Sequence, residues 1–178
     1  MMLLAFAVLV PAATAASPAE TPGGWDAPSI SLGPTFRDDH AAASRSWSAG
    51  VAGNLEIPIT VPVGVRLDAV SGWDTQGALG VRGPMVDLLA VWRHPFGTWA
   101  VDVAAGPGLW LGRSRYWDGA YTGPFPAWRG ALGGAVRPHR NLGLRAELGL
   151  AGGWGTKPLL TGHSGGADAR LMVTGVIR

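Results

Sequence analysis

Cysteine is absent from the chain, so neither a disulfide framework nor a thiolate metal site is open to it. Lysine is nearly absent as well. Lys157 is the only one, and the arginines are scattered, not clustered as in a nucleic-acid binder. Charged residues make up 15% of the chain, well short of the roughly one quarter usual in a soluble domain. Long apolar runs are missing too: beyond residue 16 no stretch could form a membrane-spanning helix. What is present is apolar or small: 47% hydrophobic residues, 28 glycines, and nine tryptophans against two tyrosines. An apolar, charge-poor chain of 178 residues with no spanning helix has the composition of one barrel domain in lipid.

The first 16 residues, MMLLAFAVLVPAATAA, pair an apolar core with small residues. Ala13-Thr14-Ala15 forms an A-x-A site, so residues 1–15 are expected to be a signal peptide cleaved after Ala15. No Lys or Arg precedes the apolar core. Either the free amino terminus supplies that charge or translation starts upstream. Residues 16–26, rich in Pro, Ala and Gly, read as a flexible lead-in to a barrel over 27–178.

The mature chain then divides into eight segments in which apolar residues recur at every second position, the period of a two-faced strand. In the seventh, Leu142, Leu144, Ala146, Leu148 and Leu150 alternate with Gly143, Arg145, Glu147 and Gly149. In the fifth, Trp99, Val101, Val103, Ala105, Leu109 and Leu111 oppose Ala100, Asp102, Ala104, Gly106 and Gly108. In the third, Val61, Val63, Val65, Leu67 and Ala69 oppose Gly64, Arg66 and Asp68. The first opposes Ile30, Leu32 and Phe36 to Ser29, Ser31 and Thr35, and the second Trp47, Val51, Leu55 and Ile57 to Ser48, Asn54 and Glu56. In the fourth, Val86, Leu88, Ala90 and Trp92 oppose Asp87 and Arg93, with Leu89 and Val91 in the polar phase. The sixth opposes Trp128, Leu132 and Val136 to Arg129, Ala131 and Gly133. The last opposes Leu171, Val173 and Ile177 to Arg170, Thr174 and Arg178.

Each segment is about ten residues long, enough for a tilted strand to cross a bilayer. Short links at Pro58, Pro95-Phe96-Gly97 and 138–141 alternate with longer polar stretches at 38–45, 74–82, 113–123 and 155–167. Such alternation of short turns and long loops is that of an up-and-down transmembrane barrel, and an even strand number returns both termini to one side.

Soluble barrels such as lipocalins alternate as well, so the faces must be weighed. A soluble barrel fills its interior with the bulky face and turns Lys and Glu outward. Here the second face is mostly Gly, Ala and Ser with single charges, which suits a narrow lumen better than a water-facing surface. Its acids, Glu56, Asp68, Asp87, Asp102 and Glu147, equal in number its bases, Arg66, Arg93, Arg129, Arg145 and Arg170. Equal numbers are what an internal ion-pair network requires, because an unpaired buried charge is costly. Trp47, Trp73, Trp110, Trp117, Trp128 and Trp154 lie toward the long-loop ends, and Trp92, Phe96 and Trp99 near a short turn. Two such bands are expected to be the girdles of a membrane barrel, where an amphipathic ring suits the headgroup layer.

With these segments the chain resembles the small outer-membrane β-barrel family, the OmpA-like and OmpX-like eight-stranded proteins. The resemblance spans the mature chain and is most telling over Trp99–Leu111 and Ala127–Leu150. There the strand with Ala104-Ala105-Gly106-Pro107-Gly108, a long loop, Gly130 to Gly134, and Asn141-Leu142-Gly143-Leu144-Arg145-Ala146-Glu147-Leu148 follow in order. The resemblance implies an all-β, eight-stranded antiparallel barrel in a bacterial outer membrane, with membrane lipid, lipopolysaccharide and the barrel-assembly machinery as partners. Barrels of this family typically end in an aromatic residue, whereas this chain ends Val176-Ile177-Arg178.

Some barrels of this size act on lipid A, which takes a catalytic set. His163 and Ser164 with Asp168 come nearest to a hydrolase arrangement, but they adjoin Gly162, Gly165 and Gly166, which would not fix the geometry a base needs. His40 beside Asp38 and Asp39 has metal-ligand chemistry in a solvated loop, and His94 and His139 flank turns. Gly106-Pro107-Gly108 reads as relief of crowding in a tight barrel, not as a cofactor loop. No catalytic, cofactor or metal site is expected. Eight strands enclose only side chains, which argues against a wide pore. The expected role is non-enzymatic, in envelope integrity or loop-mediated contact. The alternatives are a lipid A-modifying barrel enzyme and a soluble periplasmic ligand-binding barrel.

Overall fold

The computed structural model describes residues 24–41, 44–74, 80–82, 84–111, 113–116, 119–122, 124–139, 141–154 and 163–177. The expected signal peptide and most of the expected lead-in lie outside the described residues. The chain forms β1 (Ser29–Ala41), β2 (Ser44–Pro58), β3 (Val63–Asp74), β4 (Gly80–Arg82), β5 (Met85–Phe96), β6 (Trp99–Trp110), β7 (Arg113–Tyr116), β8 (Gly119–Thr122), β9 (Phe125–His139), β10 (Leu142–Trp154) and β11 (His163–Val176).

β1, β2, β3, β5, β6, β9, β10 and β11 are paired antiparallel to their neighbours, and β1 closes the ring against β11. This is the eight-stranded up-and-down barrel the alternation predicts, with every barrel strand paired on both sides and no edge left open. Pairing is in register where the two-residue period demands it. Glu56 lies opposite Arg66, Arg93 opposite Asp102, and Glu147 opposite Arg170, each pair on the inward face.

The faces divide as the pattern predicts. Ile30, Leu32, Phe36, Leu88, Leu132, Leu148 and Leu171 are exposed on the outside, while Ser31, Thr35, Arg66, Asp68, Asp102, Arg145 and Glu147 are buried within. Leu89 and Val91, which share the polar phase, also face inward and pack with Ala104. An outer surface of exposed leucine, valine and isoleucine is unsuited to water and suited to hydrocarbon. No described helix is long and apolar enough to cross a membrane, so any crossing is made by strands.

Three expectations need correction. The barrel strands run 12 to 15 residues, not ten, and reach into the stretches read as loops. β1 and β2 pair as far as Ala41 and Ser44, and β11 begins at His163. Beyond the apolar belt the backbone ladder continues because each N–H and C=O still needs a partner, although the sequence there no longer alternates apolar with polar residues. Residues 74–82 and 113–123 are also not wholly irregular: β4, β7 and β8 form a small sheet. That sheet prolongs the barrel, since Arg82–Arg113 continues the Met85–Trp110 register, and Arg113–Thr122 continues Trp110–Phe125. Finally, the lead-in does not stay free to residue 26. Gly24 to Asp26 turn beneath the barrel, and Trp25 is buried there.

Candidate functional site: a sealed, ion-paired lumen

Strand alternation aims one side chain in two at the barrel axis, and in an eight-stranded ring those side chains meet. Among the described residues the buried charges comprise Arg37, Arg66, Arg93, Arg129, Arg137, Arg145 and Arg170, with Glu56, Asp68, Asp87, Asp102, Glu147 and Asp168. Most of them fall into two linked clusters.

Nearer the short-turn end, Arg93 donates to Glu56 at 2.8 Å and lies 3.3 Å from Asp102. Arg145 pairs with Asp102 and stands 3.5 Å from Glu56 and 3.4 Å from Glu147. Glu147 joins this cluster to the next. It lies 2.9 Å from Arg66 and accepts from Arg129 at 2.7 Å. Arg129 is also paired with both oxygens of Asp168, while Arg170 bridges Asp168 at 3.1 Å and Asp68 at 2.8 Å. Arg66 completes the ring with Asp68 at 2.9 Å.

The preference for arginine follows from this geometry. A planar guanidinium with five donors can serve two or three carboxylates at once, which an ammonium cannot do in a fixed plane. Small inward residues make the room. A Cβ at Gly149 would run into the Arg129 guanidinium, so a larger residue there would have to push that guanidinium off its carboxylate partners.

Both ends of this network are closed by rings. At the short-turn end the Trp25 indole donates to the Gly97 carbonyl at 2.9 Å, and Gly97 takes the positive φ of the turn between β5 and β6. The Arg137 guanidinium stands 4.3 Å from the Trp25 ring and that of Arg93 5.2 Å, cation–π contacts on one indole. Arg137 also donates to the Gly24 carbonyl at 2.5 Å, tying the segment before β1 to β9. At the other end Met85, Trp110, Phe125, Ala127 and Ala151 form a buried apolar cluster, with Arg37 5.5 Å from the Trp110 ring.

Of the ten residues expected in the lumen network, nine are ion-paired there. Asp87 is the departure. It is buried in the lumen, but neither carboxyl oxygen has a hydrogen-bond partner among the described residues. It lies opposite Asp68 on one side and Gly108 on the other, so neither neighbouring strand offers it a base. Sequence reasoning missed Arg37, Arg137, Asp168 and Trp25. The first three share the phase of inward neighbours, Thr35, Arg129 and Arg170, which was the available signal. Trp25 precedes the first strand, and nothing in its neighbourhood marks it.

Of the tryptophans assigned to the girdles, Trp47, Trp92, Trp99 and Trp128 are exposed on the outer face. Trp92 and Phe96 flank His94, whose ring stacks on one and meets the other edge-on, making an aromatic row near the short turns. Trp110 must be reassigned. It is buried in the lumen because it shares the phase of Asp102 and Ala104, and there it closes the network. Trp117 lies outside the described residues, as do the side chains of Trp73 and Trp154.

Of the hydrolase candidates, Asp168 is taken up by Arg129 and Arg170, while the side chains of His163 and Ser164 lie outside the described residues. His94 packs between aromatic rings, and His139 contacts the amide of Asn141. The side chain of His40 lies outside the described residues.

No family model and no curated protein matches the chain. Solved structures do. Neisserial surface protein A (NspA) is 8% identical, with a TM-score of 0.69 over 84% of this chain and 97% of its own. The outer membrane protein OprG of Pseudomonas aeruginosa is 10% identical, with a TM-score of 0.55 over 85% of this chain and 96% of its own. Ail, the attachment invasion locus protein of Yersinia pestis, is 13% identical, with a TM-score of 0.51 over 84% and 99%. At such identities the likeness shows the fold, that of small eight-stranded outer-membrane barrels, spanning nearly the whole of each relative.

Proposed function

We propose that the chain is a non-enzymatic barrel of a bacterial outer membrane that supports the envelope and presents its long-loop end to the outside. The observation that carries this reading is the reversal of the soluble plan, with the aliphatic residues outside and, among the described residues, thirteen charged side chains buried within. Water would not tolerate that exterior, and hydrocarbon would. Neighbours in fold that are described as an outer membrane protein, a surface protein and an attachment protein support the location and a surface-contact role. Export through a signal peptide, insertion by the barrel-assembly machinery and a surround of lipopolysaccharide belong to the same proposal.

The lumen supports a closed barrel in preference to a channel. Ion pairs fill its middle, Trp25 covers one end and the Met85–Trp110–Phe125 cluster the other. The alternatives fare less well. A lipid A-modifying hydrolase built on His163 and Ser164 would need Asp168 as its acid, which Arg129 and Arg170 already hold, and a soluble ligand-binding barrel would need an apolar interior.

Gel mobility of isolated outer membranes, boiled against unboiled, tests the membrane assignment. We expect the protein in the membrane fraction, with a mobility that changes on boiling; a soluble band without a shift overturns the reading. Planar-bilayer recording of the same protein should give no steady conductance, and an open level seen in every insertion would refute the closed lumen.

A further inference from the structure

We propose that His94, held between Trp92 and Phe96 on the outer face of β5, binds the phosphate of a phospholipid in the leaflet at the short-turn end. The inference rests on the outer-membrane reading above and names a lipid group that this reading leaves open.

Polar side chains are nearly absent from the outer face. Among the described side chains in the outward phase of the eight barrel strands, tryptophan aside, only Asp38, Ser71 and His94 are polar. Asp38 and Ser71 lie toward the long-loop ends of β1 and β3. Toward the short turns His94 is therefore the one outward polar group among the described residues. Beside hydrocarbon an imidazole with unmet hydrogen-bonding capacity is costly, so its place there calls for a partner.

The neighbouring strands do not supply one. The His94 ring stacks on Trp92 with centroids 5.9 Å apart and meets Phe96 edge-on at 4.6 Å. On β6 the residue directly opposite is Val101. On the β3 side the pairing ends at Val63 and Trp92, and the Arg93 amide donates to the Pro62 carbonyl where the chain turns away. No strand residue flanks His94 there. Two rings along the strand hold the imidazole in place, while the side chain stays exposed toward the lipid. A donor fixed in advance loses little freedom on binding.

Height selects phosphate as the acceptor. From Trp99 to Leu111 the outward residues of the β6 segment span roughly 30 Å along the axis of a tilted barrel, against roughly 25 Å for the apolar band of such proteins. Val101, two residues in from Trp99, and His94 opposite it fall at the edge of that band. Phosphate and glycerol groups lie at that level, and the exposed Trp92, Phe96 and Trp99 rings suit the same layer. An imidazole N–H donating to an anionic phosphate oxygen makes a charge-assisted hydrogen bond. In an outer membrane the short turns face the periplasm, where the leaflet is built of phospholipid, so the occupant is a phospholipid and not lipopolysaccharide.

The test uses the full chain folded in non-ionic micelles and titrated with phosphatidylglycerol or with diacylglycerol of the same acyl chains, with bound lipid read by native mass spectrometry. Wild type should hold phosphatidylglycerol about tenfold more tightly than diacylglycerol, as one charge-assisted hydrogen bond would give. His94→Phe keeps the aromatic row and should bind phosphatidylglycerol about tenfold more weakly, with diacylglycerol unchanged. His94→Gln, which keeps an N–H donor, should recover part of that loss. The ring-nitrogen resonances of His94 in wild type should move with phosphatidylglycerol and stay in place with glycerol 3-phosphate, which separates a lipid from a free phosphate. These wild-type readouts stand even where a variant fails to fold. Equal affinity of wild type for the two lipids, equal binding by wild type and folded His94→Phe, or a full response to glycerol 3-phosphate overturns the site. A mobility shift on boiling, read on the same samples, separates the two claims. If both proteins shift yet bind alike, only the His94 site falls; if wild type shows no shift, the membrane reading falls and takes the site with it.

Discussion

Along β9 and β10 the inward residues include Arg129, Arg145 and Glu147, whereas the residues between them are Trp128, Leu132, Leu144, Leu148 and Leu150 on the outside. The two faces alternate on one backbone, separated by the thickness of a strand, yet they answer to opposite solvents. Inside, a charge is tolerated because its counter-charges are held at hydrogen-bond distance. Outside, an aliphatic side chain is tolerated because no water reaches it. A residue's worth therefore depends on its phase in the strand more than on its type.

The largest effect should come from breaking the inner face. Arg129 serves Glu147 and Asp168 together, so Arg129→Met leaves two buried carboxylates short of a cation. Loss of one partner from a buried pair costs about 3–5 kcal/mol, and urea unfolding from micelles should show a loss in that range. Next comes the outer face at mid-barrel. Leu148 lies halfway along β10, and Leu148→Arg should cost about 2–4 kcal/mol in a bilayer by the same unfolding measurement. The same exchange near the short turns, Trp99→Arg, should cost no more than about 1 kcal/mol, because the guanidinium reaches the headgroups there. A comparable loss at 99 and 148 would mean that the outer face does not sample a bilayer's depth profile.

A variant at the end of the lumen sharpens the comparison further. Trp25→Ala removes an indole that donates to Gly97 and carries two guanidinium contacts. Stability should fall by about 1–2 kcal/mol, less than at Arg129 or Leu148. Bilayer recordings should stay closed, because the ion-paired middle and the Trp110 cluster remain. Opening on that single change would show that Trp25, not the network, seals the barrel.

The alternation in the sequence was enough to read the eight strands, their closure and the sign of each face. Glu147 and Arg145, set among leucines two apart, could hardly belong anywhere but an interior. Phase also places Trp110 inside, since it follows Asp102 by eight residues, whereas its nearness to a strand end points to the girdle. Arg37 and Asp168 were legible in the same way. Trp25 was not, since a single turn before the first strand has no period to read. The length of the strands was also hidden. Past the apolar belt, Asp38, Ser46 and Ser164 keep the backbone ladder while the contrast between faces disappears.

Quenching of tryptophan fluorescence by brominated lipid tests the inside-out arrangement most directly. The probes are two variants that each keep a single tryptophan, Trp99 or Trp110, with phenylalanine at the other eight positions. The account predicts strong quenching at Trp99, which is exposed on the outer face, and little at Trp110, which is buried within the ring. Quenching at Trp110 with Trp99 left bright and open to aqueous iodide would contradict it, and would return the apolar face to the interior.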